Sequence, residues 1–288
     1  MPAPRLALLI PAYNEEARIG PVLVRYADAC RASWPGPVRI TVVLNGCHDD
    51  TLEVVRQAAV GRTDIEWLDF PAPIGKGGAL IEGFRHALDQ GADIIGFVDA
   101  DGATPPESFL KLAERCAAGE ADCLIGSRWL PDSVLHQRQP RLRRWLSRGF
   151  HALVELLFWM GIKDTQCPAK VAQRAALERV LPALHIADLA FDVNLLYALR
   201  RAGASVREVP VEWTDQAGSK VSASLGRSCL VMFLSVVRLR LVHSPLYRWL
   251  RPLRPIETWL YLSLRAPPPL PRAGGGARTR TPPADSRC

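Results

Sequence analysis

The chain reads as an α/β domain: a doubly wound, mostly parallel sheet with helices on both faces, followed by C-terminal amphipathic helices. Three observations carry this reading. Short β-type runs at Leu6–Ile10, Ile40–Leu44, Ile65–Phe70, Ile94–Val98 and Leu124–Ser127 alternate with helical patterns. The helical patterns cover Arg18–Arg31, Thr51–Ala59, Gly77–Gln90 and Pro106–Ala118. In the first of them, Ile19, Val22, Leu23, Tyr26 and Cys30 recur at helical spacing and give one apolar face to lay on a sheet. Finally, Ile94–Val98 is an unbroken apolar run, as expected of a parallel strand covered on both sides.

Beyond Ser127 the alternation loosens. Pro131–Arg148 is polar and Arg-rich, Gly149–Ile162 is apolar and amphipathic, and a strand-like Val206–Val211 follows Phe191–Ala202. The expected organisation is a catalytic domain over 1–224, a basic amphipathic membrane-interface segment over 225–265, and a disordered tail over 266–288. The tail contains PPPLPRAGGGARTRTPP, too poor in apolar residues to pack.

At 288 residues the chain is long enough for one full catalytic domain with a large core. Its net charge of +7 is unevenly placed: Leu225–Cys288 carries +9 and the remainder, by difference, −2. Seven scattered cysteines form no C-x-x-C pair and no zinc spacing, so a reducing, cytoplasmic setting is expected. The chain enters its first strand directly, and no signal peptide is expected. Neither Gly149–Ile162, interrupted by His151 and Glu155, nor Cys229–Val237, closed by Arg238, is long enough to span a bilayer.

The chemistry concentrates at Ile94–Ser108, where the apolar run ends in Asp99 and Asp101. Continuing the strand's period of two would aim both carboxylates toward one side at its carboxyl end, where open α/β sheets bind ligands. Close carboxylates repel unless a cation lies between them, and a hard divalent ion that also holds phosphate oxygens suits that place. Gly75-Lys76-Gly77-Gly78 at a helix start sets backbone amides and a cation where a diphosphate could sit. The same segment fails the P-loop pattern, with Phe70 at the first glycine and Gly77 in place of Ser or Thr. It also fails the dinucleotide pattern, with Leu80 at the third glycine.

Read together, the blocks Ile10–Glu16, Gly75–Gly77, Asp99–Asp101, Ile125–Arg128, Asp164–Lys170, Phe191–Val193 and Gly218–Val221 resemble family 2 glycosyltransferases of the GT-A fold. They are most similar to the branch that makes dolichyl-phosphate mannose and glucose. That resemblance implies that Pro11, Tyr13, Glu15, Asn45, Lys76, Asp99 and Lys220 bind the donor, a nucleoside diphosphate sugar. It places Mg²⁺ or Mn²⁺ on Asp99 and Asp101, with Asp101, Arg128 and Asp192 as catalytic residues. Arg128 and Lys170 would meet the acceptor, a polyprenyl phosphate, at a membrane surface, and no nucleic acid is expected as partner. One departure stands out: V-D-D-G-S is usual in the family, whereas here Val43-Leu44-Asn45-Gly46-Cys47 places Asn45 where a base-contacting aspartate is expected.

The reaction that follows is inverting. A phosphate acceptor whose second pKa is about 6 is already anionic and needs no base, whereas a hydroxyl acceptor would need one, for which Asp192 is the first choice. Cys167 reads as a packed residue rather than a nucleophile. A nucleotidyltransferase and a catalytically silent membrane-associated binding protein remain alternatives. Leu225–Leu264 interleaves apolar residues with Arg238, Arg240, Arg248, Arg251 and Arg254, a composition that favours peripheral attachment to the inner face of an anionic membrane, with Phe150–Trp159 as a candidate second contact.

Overall fold

The computed structural model describes residues 3–136, 141–186, 188, 190–214, 225–242 and 278–280. Its strands are β1 (Leu6–Ala12), β2 (Val38–Asn45), β3 (Ile65–Phe70), β4 (Ile94–Phe97), β5 (Cys123–Ser127), β6 (Val134–Leu135), β7 (Lys170–Gln173), β8 (Val206–Pro210), β9 (Glu212–Trp213) and β10 (Arg278–Arg280). The helices are α1 (Ile19–Ser33), α2 (Thr51–Ala58), α3 (Gly75–Asp89), α4 (Pro106–Ala117), α5 (Arg141–Phe158), α6 (Arg174–Val180), α7 (Phe191–Arg201) and α8 (Leu225–Val242). One sheet runs in the order β10-β3-β2-β1-β4-β7-β5-β8, and β6 pairs with β9 in a small second sheet. Strands β1 to β4 are parallel where they pair, as are β5 and β8, while β7 runs antiparallel between β4 and β5. The mostly parallel, doubly wound expectation holds.

The alternation of side chains along β1 shows why helices cover both faces. Leu6, Leu8 and Ile10 enter a core with Ile19, Leu23 and Tyr26 of α1, Val55 of α2 and Phe109 of α4. Ala7 and Leu9 enter the opposite core with Leu80 and Phe84 of α3, Leu177 of α6 and Phe191 and Leu196 of α7. With β1 buried on both faces, its sequence LALLIPA contains no charge.

Several boundaries differ from the sequence expectation. Strand β4 ends at Phe97, so Asp99 and Asp101 lie in the loop that follows rather than on the strand's continued alternation. Helix α5 begins at Arg141, inside the Arg-rich stretch after Pro131. Helix α8 is not a separable segment: Val236 and Leu239 are buried in the second core, and Ser235 Oγ donates to Asp188 Oδ2. Within the tail, Arg278–Arg280 pairs antiparallel with Trp67–Asp69 on the outer edge of β3, so the disorder expected over 266–288 does not hold for these three residues. An open strand edge accepts an extended backbone largely irrespective of side chains, a property that composition does not reveal.

Gly96 sets how closely β4 and β7 pack under α4. A Cβ there would stand 2.7 Å from the Lys170 carbonyl oxygen and 2.7 Å from Phe109 Cε2. Gly96→Ala should therefore destabilise by about 1–3 kcal/mol, the usual cost of overpacking, measured as a fall in the urea midpoint at unchanged slope. An unaltered midpoint would mean that the strand–helix spacing is freely adjustable.

Candidate active site

Strand β1 hydrogen-bonds to β2 on one side and to β4 on the other. The chain winds outward through β2 and β3, then returns to the opposite side of β1, so the carboxyl ends of β1 and β4 border a topological switch point. The loops that leave those ends carry most of the expected site residues. Pro11 is half-buried near the end of β1, and Tyr13 follows in the loop with 43% of its surface exposed.

This first loop is locked to the loop after β2. Asn14, at φ +54°, accepts from the His48 backbone N–H, and Thr51 Oγ1 accepts from that of Glu15 at 2.7 Å. Thr51 in turn donates to Asp49 Oδ1, and Asp49 Oδ2 accepts from the Glu16 N–H. Burial pushes the Asp49 carboxyl pKa up, but these hydrogen bonds outweigh it and hold the group below its usual range. Glu15 also pairs with Arg18 at 2.5 Å. Sequence reasoning misses Asp49, although the run His48-Asp49-Asp50-Thr51 before a helix is a signal for such a role.

Asn45 is buried at the end of β2, where its Oδ1 accepts from the Ile74 N–H at 2.6 Å. Its carbonyl thus holds the turn that precedes α3. Gly46, at φ +65°, lies so close to that turn that a Cβ would stand 2.5 Å from Pro73 N. Lys76, in the first turn of α3, reaches back across the site, and its Nζ lies 2.6 Å from Asp99 Oδ1. Asp101 accepts from the Ala103 N–H at 3.0 Å and has no ion-pair partner among the described residues. Burial first, and then the charge of Asp99, raise the Asp101 pKa.

Two ion pairs, one partly and one fully buried, lie within electrostatic reach of these groups. Arg128 grips Asp164 through Nε at 2.7 Å and Nη2 at 2.9 Å, and its guanidinium lies 4.9 Å from the centre of the Trp213 ring. Lys170 on β7 is 1% exposed, pairs with Asp192 at 2.6 Å and also donates to the Cys167 carbonyl. Lys170, expected at the acceptor phosphate, is thus closed off and committed to another partner. Asp192, considered as a base, lies in the first turn of α7, and its Oδ1 already accepts from Lys170. Arg128 reaches the site, but with its fork occupied. Asp164, which opens the block ending at Lys170, is the residue that holds it. Cys167 is buried, and its thiol is pushed up to about 12 by burial, which leaves it inert. Lys220 lies outside the described residues.

Residues 7–181 match the family described as "Glycosyl transferase family 2". The chain belongs to that family. It is 34% identical over 224 residues to a protein named dolichyl-phosphate beta-glucosyltransferase ALG5C from Trichomonas vaginalis, with 75% of this chain and 66% of that one covered. It is 32% identical over 245 residues to a dolichyl-phosphate beta-glucosyltransferase from Dictyostelium discoideum, covering 82% and 73%. It also matches glycosyltransferase AglD of Haloferax volcanii, 31% identical over 81% of this chain and 36% of that protein. Among solved structures, glucosyl-3-phosphoglycerate synthase from Mycobacterium tuberculosis in complex with UDP superposes with a TM-score of 0.60 at 19% identity, covering 82% of this chain and 80% of that one. That likeness supports the GT-A architecture.

The two aspartates with opposite pKa shifts give opposite pH signatures. At Asp164, burial raises the pKa but Arg128 outweighs it and holds the carboxyl below its usual range. Its stabilisation is therefore complete above the ordinary carboxylate pKa and is lost as pH falls through the depressed one. Asp164→Asn should cost about 3–5 kcal/mol at neutral pH by leaving the Arg128 charge buried and unpaired, and the deficit should narrow in acid. Asp101, shifted upward, destabilises the fold while ionised, so Asp101→Asn should raise the melting temperature of the ligand-free protein at pH 7. That gain should vanish once acid protonates the wild-type side chain, and thermal melts from about pH 2 to 8 read both effects.

Proposed function

We propose that this chain transfers a hexose, with glucose as the first choice, from a nucleoside diphosphate sugar to a polyprenyl phosphate of the dolichyl type, with inversion. The observation that carries the donor half is the meeting of Asp99, Asp101 and Lys76 at the switch-point edge of the sheet. The acceptor half rests on the names of the relatives.

Asp99 and Asp101 fit a divalent ion that also takes the donor's phosphate oxygens, because among the described residues no third carboxylate, His or Cys joins them in a metal-binding group. Mg²⁺ or Mn²⁺ held by Asp99 and Asp101 would supply positive charge beside the departing diphosphate. Tyr13 offers an exposed ring to the base, and Pro11 and Glu15 border the same end of β1. Lys76 brings an ammonium to the phosphates at the start of α3, where backbone amides also point outward. Arg128, held flat by Asp164 and Trp213, adds a fixed positive charge. Lys170 acts from beneath: by pairing with Asp192 it fixes the first turn of α7 beside the cleft.

An acceptor phosphate oxygen attacks the sugar C1 from the face opposite the diphosphate. The C1–O bond breaks, its electrons leave with the nucleoside diphosphate, and no proton has to be removed from the acceptor. The commitment of Asp192 to Lys170 favours this course over a hydroxyl acceptor, for which a base would be needed.

Attachment to the membrane would be peripheral, at the cytoplasmic face. No helix among the described residues is long and apolar enough to cross a membrane. Helix α5 and its end turn an apolar stripe outward, with Trp145 72% exposed, Leu156 70% and Trp159 82%. Helix α8, packed beside it, adds Leu230, Phe233 and Leu241. Tryptophans near both ends of a helix flanked by arginine suit an anionic interface. The remainder of the 225–265 segment lies outside the described residues.

Purified protein with Mg²⁺, UDP-glucose and a polyprenyl phosphate should release UDP and form a lipid-linked glucose. Asp101→Asn should lower the rate by about 100-fold or more while the protein stays folded. Release of pyrophosphate, or equal use of neutral alcohols, would reject the assignment. Because α8 is built into the core, surface changes test attachment better than truncation does. The pair Trp145→Ala and Trp159→Ala should weaken co-sedimentation with anionic vesicles and slow long-chain acceptors, while sparing short-chain ones. Unchanged co-sedimentation would remove α5 from the contact.

A further inference from the structure

We infer that Lys76 holds the place of the divalent ion at Asp99 while the donor site is empty, and moves to the donor's diphosphate when ion and donor arrive together. The inference deepens the proposed donor site and rests on it. Lys76 Nζ lies 2.6 Å from Asp99 Oδ1, within the first coordination distance that an ion's own neighbours would contest. An ammonium and a dication cannot share that oxygen at such range without strong repulsion. An ion that takes this oxygen has to displace the lysine.

The surroundings make the lysine the mobile partner. Asp99 lies just past the buried end of β4 and carries its charge on a short side chain, whereas Lys76 carries its charge on a flexible four-carbon stem. The pair is also accessible, with side chains 21% and 32% exposed. The neighbouring Lys170–Asp192 pair is sealed at 1% and 3% and could not exchange in this way. A released Lys76 remains at the amino end of α3, where the helix dipole and free amides favour phosphate. The base of the stem is held in register by Asn45, which binds Ile74 two residues earlier.

The consequence is linkage. An ion arriving alone must expel the lysine and leave it without a counter-charge, whereas an ion arriving with a diphosphate gives the lysine a new anion. Each ligand should therefore tighten the other, by equal factors in both directions. Direct contact between the ion and the diphosphate would by itself tighten both, so the share due to Lys76 is the part of the gain that Lys76→Met removes.

Mn²⁺ binding to the full chain, followed by electron paramagnetic resonance of the free ion with and without UDP, tests this. Wild type should bind Mn²⁺ weakly alone and more tightly with UDP. Lys76→Met, neutral and similar in length, should bind Mn²⁺ alone roughly tenfold more tightly, with a reduced further gain from UDP. Lys76→Arg, which retains the charge, should stay close to wild type. Equal or weaker binding of Mn²⁺ alone by a folded Lys76→Met protein would overturn the inference. Asp101→Asn separates the two levels: if it abolishes Mn²⁺ binding while Lys76→Met changes nothing, the displacement idea alone fails. If Mn²⁺ binding survives Asp101→Asn undiminished, the metal assignment fails, and this inference with it.

Discussion

The arrangement of the site depends on the neutralisation of four carboxylates gathered at one edge of a buried sheet. Asp99, Asp101, Asp164 and Asp192 lie close enough to share the fields of Lys76, Arg128 and Lys170. Three of the acids have a cation at ion-pair distance, and among the described residues Asp101 does not. In a low-dielectric setting an unmatched carboxylate is costly, and the cost appears as the upward shift of Asp101. The structure thus concentrates the uncompensated negative charge of this group at the point where the proposed chemistry needs a metal. Stability is given up there, at the site of function, while the Arg128 and Lys170 pairs keep the neighbouring backbone in place.

The scaffold explains how those charges come together from distant regions of the chain. Lys170 belongs to β7, a strand inserted antiparallel between β4 and β5, and its partner Asp192 begins α7 on the far side of an intervening helix. Arg128 leaves the end of β5, while Asp164 precedes β7 in the segment that returns toward the site. Every pair therefore bridges two elements. The ion pairs hold together the half of the domain that follows Ser127, where the parallel pattern of the first half gives way.

That half is also where the sequence is least legible. The alternation of strands and helices up to Ser127, and the D-x-D at the end of β4, can be read directly, because each rests on short-range periodicity. Strand β7 cannot. It has only four residues, Lys170–Gln173, and its lysine and glutamine disguise a strand whose first three residues are buried. A lysine in a central strand is intelligible only once Asp192, 22 positions away, is brought beside it. The pairings of Arg128 and Lys170 are hidden for the same reason: sequence shows a charge but not its partner. Lys170 is therefore expected at the acceptor from sequence, whereas the fold buries it against Asp192. Asn45 reads in sequence as a lost base contact, but its carbonyl secures the turn before Lys76, a role an aspartate could fill only by adding a further negative charge to an already acidic edge.

Helix α8 links the outer surface to this interior. On one side it exposes Leu230, Phe233 and Leu241, and on the other Ser235 donates to Asp188. Asp188 also accepts from the Ala190 N–H, immediately before α7. Two residues further on, Asp192 meets Lys170. A series of hydrogen bonds and one helical turn thus joins the outward face of α8 to the buried Lys170–Asp192 pair. Spatial continuity alone does not establish energetic coupling. It does mean that α8 cannot be an interchangeable anchor: whatever its outer face rests upon, its inner face helps fix the start of α7. On the proposed reading, the same helix that seats the protein at the lipid surface also contributes to the floor of the site where a lipid phosphate would react.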